Sequence, residues 1–214
     1  MIRYISDLHF GHRNIIRYDN RPFSSVGEMD EAMTELWNET VSPKDTTYIL
    51  GDICWNTNYE AWKATLSRLN GTKFVVKGNH DRHDYLNRLM RDGVIKDWEH
   101  QFVVDDGQCK VVLNHSPMPF FVNMHDPRYR HLYGHVHISY DYNIVLSTRK
   151  AVEELYQHEV RMYNVGCMVP GMRYMPRTLD EIVEIDRAVT RVSDIEFAKR
   201  KSGHSADSDK ITGP

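Results

Sequence analysis

Short apolar runs rich in β-forming residues alternate with segments of helical periodicity in the first part of the chain. Three runs predict strands: MIRYIS from Met1, TTYIL from Thr46 and TKFVVK from Thr72. Two segments between them space their apolar residues three or four positions apart and predict amphipathic helices. These apolar positions are Val26, Met29, Met33, Leu36 and Trp37, followed by Tyr59, Trp62, Leu66 and Leu69. The order strand, helix, strand, helix, strand predicts a parallel α/β core.

Polar residues and glycines mark the ends of the predicted helices. Ser25 and Glu28 have the spacing of a capping box at the start of the first helix, and Pro43 is expected to end it. Gly71 is the expected C-cap of the second helix. A second capping box, at Thr178 and Glu181, predicts a C-terminal helix over TLDEIVEIDRAV.

The alternation of predicted strands and helices ends at about residue 99. EHQFVVDDGQCKVVLN predicts two strands joined by an Asp-Gly turn, and therefore a change to antiparallel pairing. HLYGHVH and RMYNVG predict two further short strands. The segment 138–163 is a helix-like insert, with Ala151, Leu155 and His158 expected on one face. We expect one domain over 1–201 and a mobile tail over 202–214, because that last segment is polar and rich in small residues.

Composition and charge narrow the class of protein. A net charge of -3 and a pI near 6.4 argue against a surface built mainly to bind nucleic-acid phosphates. Cys54, Cys109 and Cys167 form no CxxC pair, so we interpret them as reduced, buried thiols. The sequence contains no signal-peptide pattern and no apolar run of transmembrane length. We therefore expect a cytoplasmic protein without a membrane partner.

Side chains of the metal-ligating types follow five apolar runs in succession. They are Asp7 and His9, Asp52, Asn79 with His80 and Asp81, His115, and His135 with His137. Functional side chains of α/β domains collect beyond the carboxyl ends of strands, so these groups are expected to meet at one edge. Each residue alone also fits an ordinary role as a helix cap, a turn former or a locally bonded histidine. Their joint occurrence favours a metal centre.

The chemistry of this set indicates two metal ions. Imidazole and carboxylate ligands with one amide suit first-row divalent cations, whereas the absence of thiolates argues against a structural zinc site. Seven ligands are too many for one tetrahedral ion. They fit two ions that share a bridging carboxylate, an arrangement used for attack on phosphate by a metal-bound hydroxide.

The motifs resemble, in order, the signature of the calcineurin-like metallophosphoesterases. They are Asp-x-His at Asp7 and His9, Gly-Asp at Gly51 and Asp52, Gly-Asn-His-Asp at Gly78 to Asp81, a single histidine at His115, and Gly-His-x-His at Gly134 to His137. The resemblance implies a four-layer α/β/β/α sandwich with the dinuclear site at one edge of the sheets.

The resemblance also implies a role for each residue. The ligands of one ion would be Asp7, His9 and His137, those of the other Asn79, His115 and His135, and the bridging ligand Asp52. The nucleophile would be a hydroxide shared by both ions, because coordination lowers the pKa of water from 15.7 to about 7. His80 would donate a proton to the leaving group, and Asp81 would orient its imidazole.

The substrate is less well defined than the reaction. We favour a small-molecule or cyclic phosphodiester, because 214 residues leave little chain for a cap domain over the site. A phosphomonoesterase, a nuclease and a non-catalytic metal-binding scaffold are the alternatives. A serine or cysteine hydrolase is disfavoured because the chain has no GxSxG elbow. Two divalent ions are expected, with manganese favoured over iron, nickel or zinc. The sequence is compatible with either a monomer or a homo-oligomer.

Several residues near the motifs have two interpretations, either lining the substrate site or holding ordinary structural positions. They are His12 with Arg13, Trp55, and the loop residues His125, Arg128, Arg130 and His131. For Trp55, packing beneath its loop is the favoured interpretation.

Overall fold

The predicted parallel α/β core forms the first sheet of the protein. The computed structural model describes residues 1–55, 58–107 and 109–190. Four parallel strands lie in sequence order: β1 (Ile2–Ile5), β2 (Thr46–Ile49), β3 (Thr72–Val76) and β4 (Asp97–Glu99). The first three were predicted, and β4 was not.

Helices connect these strands, including the two that the sequence predicted after β1 and after β2. They are α1 (Ile15–Tyr18), α2 (Val26–Thr40), α3 (Tyr59–Ser67) and α4 (His83–Arg91). The Ser25 hydroxyl accepts a hydrogen bond from the Glu28 amide at 3.2 Å, which confirms the first capping box. No element was predicted for α4, because Tyr85, Leu86 and Leu89 are the buried residues of an otherwise strongly polar helix.

The second sheet combines both kinds of pairing. Its strands, in sequence order, are β5 (Gln101–Asp106), β6 (Cys109–Asn114), β7 (Tyr129–Tyr133) and β8 (Met162–Asn164). The pairing of β5 with β6 is antiparallel, as predicted, whereas β6, β7 and β8 are parallel to one another. The carboxyl ends of these last three strands therefore lie along the same edge of the sheet.

The insert between β7 and β8 is a helix, as its sequence indicated, but the predicted face is wrong. Helix α5 (Tyr140–Tyr156) buries Tyr142 and Val152, whereas Leu155 is 82% exposed. A sixth helix, α6, covers 179–190 and begins with the predicted Thr178 and Glu181 capping box. The guanidinium of Arg149 on α5 donates to the carboxylate of Asp186 on α6 at 2.9 Å, so this ion pair ties the insert to the C-terminal part of the domain.

The two sheets meet at the ends of β1 and β8. The Ser6 amide donates to the carbonyl of Val165, and the Cys167 amide donates to the carbonyl of Ser6, both at 2.9 Å. Val111 and Leu113 of β6 pack in the main core with the first sheet, whereas Val112 packs in a second cluster that includes residues of α5. Both faces of the second sheet are therefore covered. The full four-layer order stays a prediction.

The remaining predictions about the chain as a whole are tested only in part. The boundary at 201 and the tail over 202–214 lie outside the described residues. The three cysteines are free thiols, and Cys109 is half-buried where burial was expected. Among the described residues, no helix is both long enough and apolar enough to cross a membrane.

Candidate metal centre

The junction of the two sheets brings together all seven residues predicted as metal ligands. Those from the first sheet follow β1, β2 and β3, and those from the second sheet follow β6 and β7. The carboxylate of Asp7, at the end of β1, accepts a hydrogen bond from the backbone amide of His135, which follows β7, at 3.1 Å. Their roles as ligands remain predictions. Their positions at one edge are those expected from the ends of the predicted strands.

Three motif glycines permit this convergence by leaving space for ligand side chains. A Cβ atom on Gly78 would lie 2.2 Å from the Asp52 carboxylate, and one on Gly134 would lie 2.5 Å from the Asp7 carboxylate. A Cβ atom on Gly51 would lie 2.6 Å from Nδ1 of His115. Any side chain at these positions would displace a ligand, so the glycines are part of the site geometry.

The backbone of the site adopts left-handed conformations that are rare for residues other than glycine. Ten described non-glycine residues have positive φ, and five of them are predicted ligands. These five are Asp7 (φ 57°), His9 (φ 52°), Asp52 (φ 54°), His135 (φ 73°) and His137 (φ 47°). Such strain clusters at functional sites, where the surrounding structure holds it in place.

One group of ligand atoms comes from Asp7, His9 and His137, as predicted for the first ion. Their candidate ligand atoms all lie within 4.8 Å of one another. The Nε2 atoms of His9 and His137 are 3.3 Å apart, and Nε2 of His137 is 3.8 Å from the Asp7 carboxylate. Asp7 and His9 are buried, whereas His137 is half-buried.

A second group centres on Asp52 and His115. Their ligand atoms lie within 4.8 Å of each other and of Asp7, so Asp7 contributes to both groups. The Asn79 side-chain oxygen is 2.9 Å from Nε2 of His115 and 2.9 Å from Nδ1 of His135. One oxygen of Asp52 lies 3.5 Å from His115 Nε2 and 3.7 Å from His9 Nε2, so it reaches toward both groups. This position suits the bridging role predicted for Asp52.

Burial and mutual contact set the charges of this cluster. Burial lowers the pKa of His9 to about 3 and raises that of Asp7 above its usual range. Burial would also lower the pKa of His115, but contacts with Asp52 and Asp7 outweigh it and raise that pKa to about 9. Burial opposes ionisation of Asp52, yet its contact with His115 holds the pKa of Asp52 at about 2. Two carboxylates are thus concentrated where water is largely excluded.

The donor set fits a pair of divalent cations. Within the described part of the chain, no lysine or arginine pairs with the Asp7 or Asp52 carboxylate. Nδ1 of His115 lies 2.7 Å from the carbonyl of Leu50, and Nδ1 of His137 lies 2.7 Å from Asp19. These contacts leave the Nε2 atoms directed at the centre, which is how metal-bound histidines are held. Buried carboxylates with no lysine or arginine partner, surrounded by imidazoles that can release their protons to bind metal, suit an external cation.

His80 lies beside the ligands, but Asp81 does not contact its imidazole. The backbone amide of His80 donates to Asp52 at 2.9 Å, and the side chain is 40% exposed. The Asp81 carboxylate instead accepts from three backbone amides, those of Asp52, Ile53 and Gly78, at 2.8 to 3.0 Å. The partner predicted for Asp81 is therefore wrong: this buried carboxylate satisfies backbone donors and fixes the loops that carry Asp52 and Asn79.

A buried ion pair that no sequence pattern indicated supports the first group. The Asp19 carboxylate contacts Nδ1 of His137 and also accepts two hydrogen bonds from Arg21 at 3.0 Å. Arg21 in turn donates to the carbonyls of Asp7 and Leu8 at 2.9 Å. Asp19 and Arg21 follow the short helix α1 in a turn, where aspartate and arginine are too common to attract notice. The pair holds both the His137 ring and the Asp7 backbone.

Replacing Asp19 by asparagine is expected to weaken metal binding by about 10- to 100-fold, because a partner behind a metal-bound histidine orients the ring and raises its basicity. Asparagine keeps an acceptor for Arg21 but loses the charge next to His137. Affinity can be measured by competition with a chromophoric chelator, with Asp141→Asn on the exposed surface of α5 as the matched control. Equal affinity in the two variants would show that Asp19 serves only the fold.

The structure excludes His131 from the substrate entrance. This histidine on β7 is fully buried; its Nε2 accepts from the Met118 amide at 3.1 Å, and its Nδ1 lies 3.0 Å from the carbonyl of Val112. His125 is exposed and contacts His158 at 2.7 Å. Both histidines have local partners instead of a place among the ligands.

His131 is expected to lower the free energy of unfolding as the pH decreases through the acid range. Burial lowers its pKa from 6.5 to about 4, so below pH 6.5 the unfolded chain binds a proton that the folded chain does not bind. The contribution is complete above pH 6.5 and is lost by pH 4, a change of about 3 kcal/mol in the free energy of unfolding. We expect the stability difference between the metal-free protein and His131→Gln, measured by urea unfolding, to shrink by this amount. His100→Gln, at an exposed histidine, should show no such trend.

The first half of the chain is similar to a known sequence family. The sequence profile described as calcineurin-like phosphoesterase matches residues 2–104. That match includes the motifs from Asp7 to Asp81 and ends before His115, His135 and His137. The three remaining histidines enter the site through the second sheet, whose β7 and β8 lie wholly beyond the matched residues.

Two protein sequences and one structure extend the similarity. The uncharacterised protein MJ1445 of Methanocaldococcus jannaschii is 33% identical over 186 residues, which cover 86% of this chain and 90% of that protein. The gene 66 protein of Mycobacterium phage L5 is 33% identical over 87 residues, covering 40% of this chain and 42% of the phage protein. A crystal structure of the protein of unknown function AQ665 from Aquifex aeolicus has a TM-score of 0.62 at 23% identity, covering 86% and 98% of the two chains. This last similarity shows the fold alone.

Proposed function

The chain belongs to the calcineurin-like phosphoesterase family, and from this premise we propose that it hydrolyses small phosphodiesters with the help of two divalent cations. Membership of the family indicates metal-dependent hydrolysis of phosphoesters. The substrate class, the number of ions and their identity are parts of the proposal.

A single observation carries this proposal. Asp7 and Asp52 are buried carboxylates that face four imidazoles and one amide, and neither pairs with a lysine or arginine among the described residues. Such a concentration of acceptor atoms is costly unless cations fill it. Carboxylate, imidazole and amide ligands suit manganese, iron, nickel or zinc, and we favour manganese.

Each side chain then has a task in hydrolysis. The bound cations would supply positive charge for the phosphate oxygens and lower the pKa of a water molecule. Asp7 and Asp52 would help to hold the cations, while Asp19 and Leu50 hold His137 and His115 in orientation. The water releases a proton to solvent, and attack by its oxygen on phosphorus breaks the bond to the leaving oxygen. His80 gives that oxygen a proton, because it is the exposed imidazole next to Asp52 and has no place among the ligands.

The exposure of the site supports a substrate that enters from solvent. Asn79 and His135 are exposed, whereas Asp7, His9 and Asp52 form a buried floor. An open site of this kind accepts a phosphate with a substituent on each side, as a diester has.

We also propose a cytosolic location, consistent with the three free thiols.

The first experiment compares hydrolysis of bis-p-nitrophenyl phosphate and p-nitrophenyl phosphate by chelator-stripped protein, with and without added Mn²⁺. The proposal predicts cleavage that depends on manganese and favours the diester. Faster cleavage of the monoester would assign a phosphomonoesterase with the same centre. Metal binding without cleavage of either ester would contradict the proposal and favour a binding scaffold.

A further inference from the structure

A cluster of aromatic rings borders the metal centre on the side of His80. Trp55 stacks on His12, with ring centroids 4.0 Å apart and an interplanar angle of 6°. The same indole lies 4.6 Å from His80 and 6.2 Å from the predicted ligand His9. Tyr18 extends the cluster, with its ring edge-on to His12 at 6.3 Å. The cluster therefore begins at a ligand and continues outward past the proposed acid.

Trp55 is fixed in place by the same backbone that carries the ligands. Its amide donates to the carbonyl of Phe10 at 2.8 Å, and the His9 amide donates to the carbonyl of Asp52 at 2.9 Å. Phe10 and Cys54 also form an isolated parallel β-bridge next to these hydrogen bonds. The position of the indole relative to the metal centre is thus set by the ligand loops.

Packing against His12 leaves much of Trp55 uncovered. The side chain is 44% exposed and belongs to neither hydrophobic cluster of the core, and Tyr18 is 63% exposed. The expected packing of Trp55 is seen only in part, because the indole stacks on the buried His12 while Trp55 stays 44% exposed. Exposed aromatic surface beside a polar site is costly for stability and is typical of a ligand contact.

The chemistry of the cluster indicates what it binds. His80 is placed to protonate the leaving oxygen, so the group attached to that oxygen must extend toward Trp55. A flat apolar surface there favours a planar ring, since aromatic side chains bind bases by stacking without reading their identity. The Arg17 guanidinium lies 5.5 Å from the centroid of the Tyr18 ring, so positive charge borders the outer end of the cluster and the uncharged indole of Trp55 is the surface nearest His80.

We propose that Trp55 and Tyr18 form an aromatic wall that binds a planar ring carried by the substrate, such as a nucleobase or a phenyl group. The proposal rests on the proposed function, because the wall acts on the leaving group of a phosphoester held at the metal centre. It makes this protein selective among phosphodiesters for those that carry an aromatic substituent.

The test measures binding of three phosphonates, whose C–P bond resists hydrolysis, to the manganese-loaded protein by calorimetry. Methylphosphonate reports the phosphate site alone, phenylphosphonate adds a phenyl ring, and an adenine-bearing acyclic phosphonate adds a base. We expect the two ring-bearing ligands to bind about tenfold more tightly than methylphosphonate. Trp55→Ala should abolish most of this preference while leaving methylphosphonate binding unchanged, and Trp55→Phe should retain part of it.

Tyr156→Ala, at an exposed tyrosine on the distal end of α5, is the matched control and should keep the full preference. A preference that survives Trp55→Ala, or one that is absent from the unaltered protein, would overturn the aromatic wall and leave the proposed function standing. Failure of all three phosphonates to bind would instead contradict the proposed function, and with it the wall. Tighter binding of only the phenyl or only the adenine compound would identify which planar group the wall accepts.

Discussion

Replacing Asp52 by asparagine is expected to lower manganese-dependent hydrolysis of bis-p-nitrophenyl phosphate by about a thousandfold or more. The carboxylate reaches toward both groups of ligand atoms, with 3.5 Å to His115 and 3.7 Å to His9. Asparagine has one oxygen in place of two and carries no charge, so it cannot neutralise two cations together. Losses of this size are typical when one preorganised electrostatic element is removed from a site.

The metal content of the Asp52→Asn variant shows whether the loss of activity comes from the loss of bound ions. The variant should retain fewer than two ions after dialysis, since the second group of ligands loses a member and the first group loses the carboxylate oxygen that reaches toward it. Asp105→Asn, at an exposed carboxylate on β5 that pairs with Lys110, should bind metal and turn over substrate normally. A fully active Asp52→Asn enzyme would remove the bridging role, and one that kept two ions but lost activity would assign Asp52 to the substrate instead.

Replacing His80 by alanine is expected to lower turnover by about 10²- to 10⁴-fold while leaving the metal content unchanged. The imidazole is 40% exposed, and its Nε2 lies 3.9 Å from the Asp52 carboxylate, so it borders the site without belonging to either ligand group. The defect should be largest for diesters with poor leaving groups, because an alkoxide needs the proton more than a nitrophenolate does.

Two comparisons separate an acid from a structural histidine. His83→Ala, three residues further along the chain at an exposed histidine, should behave like the unaltered protein. Turnover of His80→Ala should depend more steeply on the pKa of the leaving group than turnover of the parent. Loss of metal from His80→Ala would mean that a ligand had been mistaken for an acid.

The predicted ligands were visible in the sequence because strand ends concentrate functional residues. Asp7, Asp52 and Asn79 each follow a short apolar run, and β1, β2 and β3 prove to be parallel, so their carboxyl ends coincide. The antiparallel pairing of β5 with β6 was also visible, because an Asp-Gly pair separates two β-forming runs. The meeting of the two sheets at Ser6 required the structure, since it depends on backbone pairing across 160 residues.

The supporting residues could not be predicted in the same way. Asp19 and Arg21 act through a single turn, and no spacing distinguishes a buried ion pair from two solvated charges. The contacts of Asp81 depend on which backbone amides the folded loop presents. Helix α5 was misjudged for a similar reason: the residues of its buried face, among them Tyr142 and Val152, were passed over for Leu155, which faces solvent.

The five predicted ligands with positive φ set a cost in stability against metal binding. Each holds a backbone conformation that costs of order 1 kcal/mol or more for a residue with a side chain. A lineage that had given up the metal would gain stability by letting these positions drift to glycine, and nothing would oppose that drift. If these five residues bind metal as predicted, glycine at any one of them would relieve the backbone strain and at the same time remove a ligand.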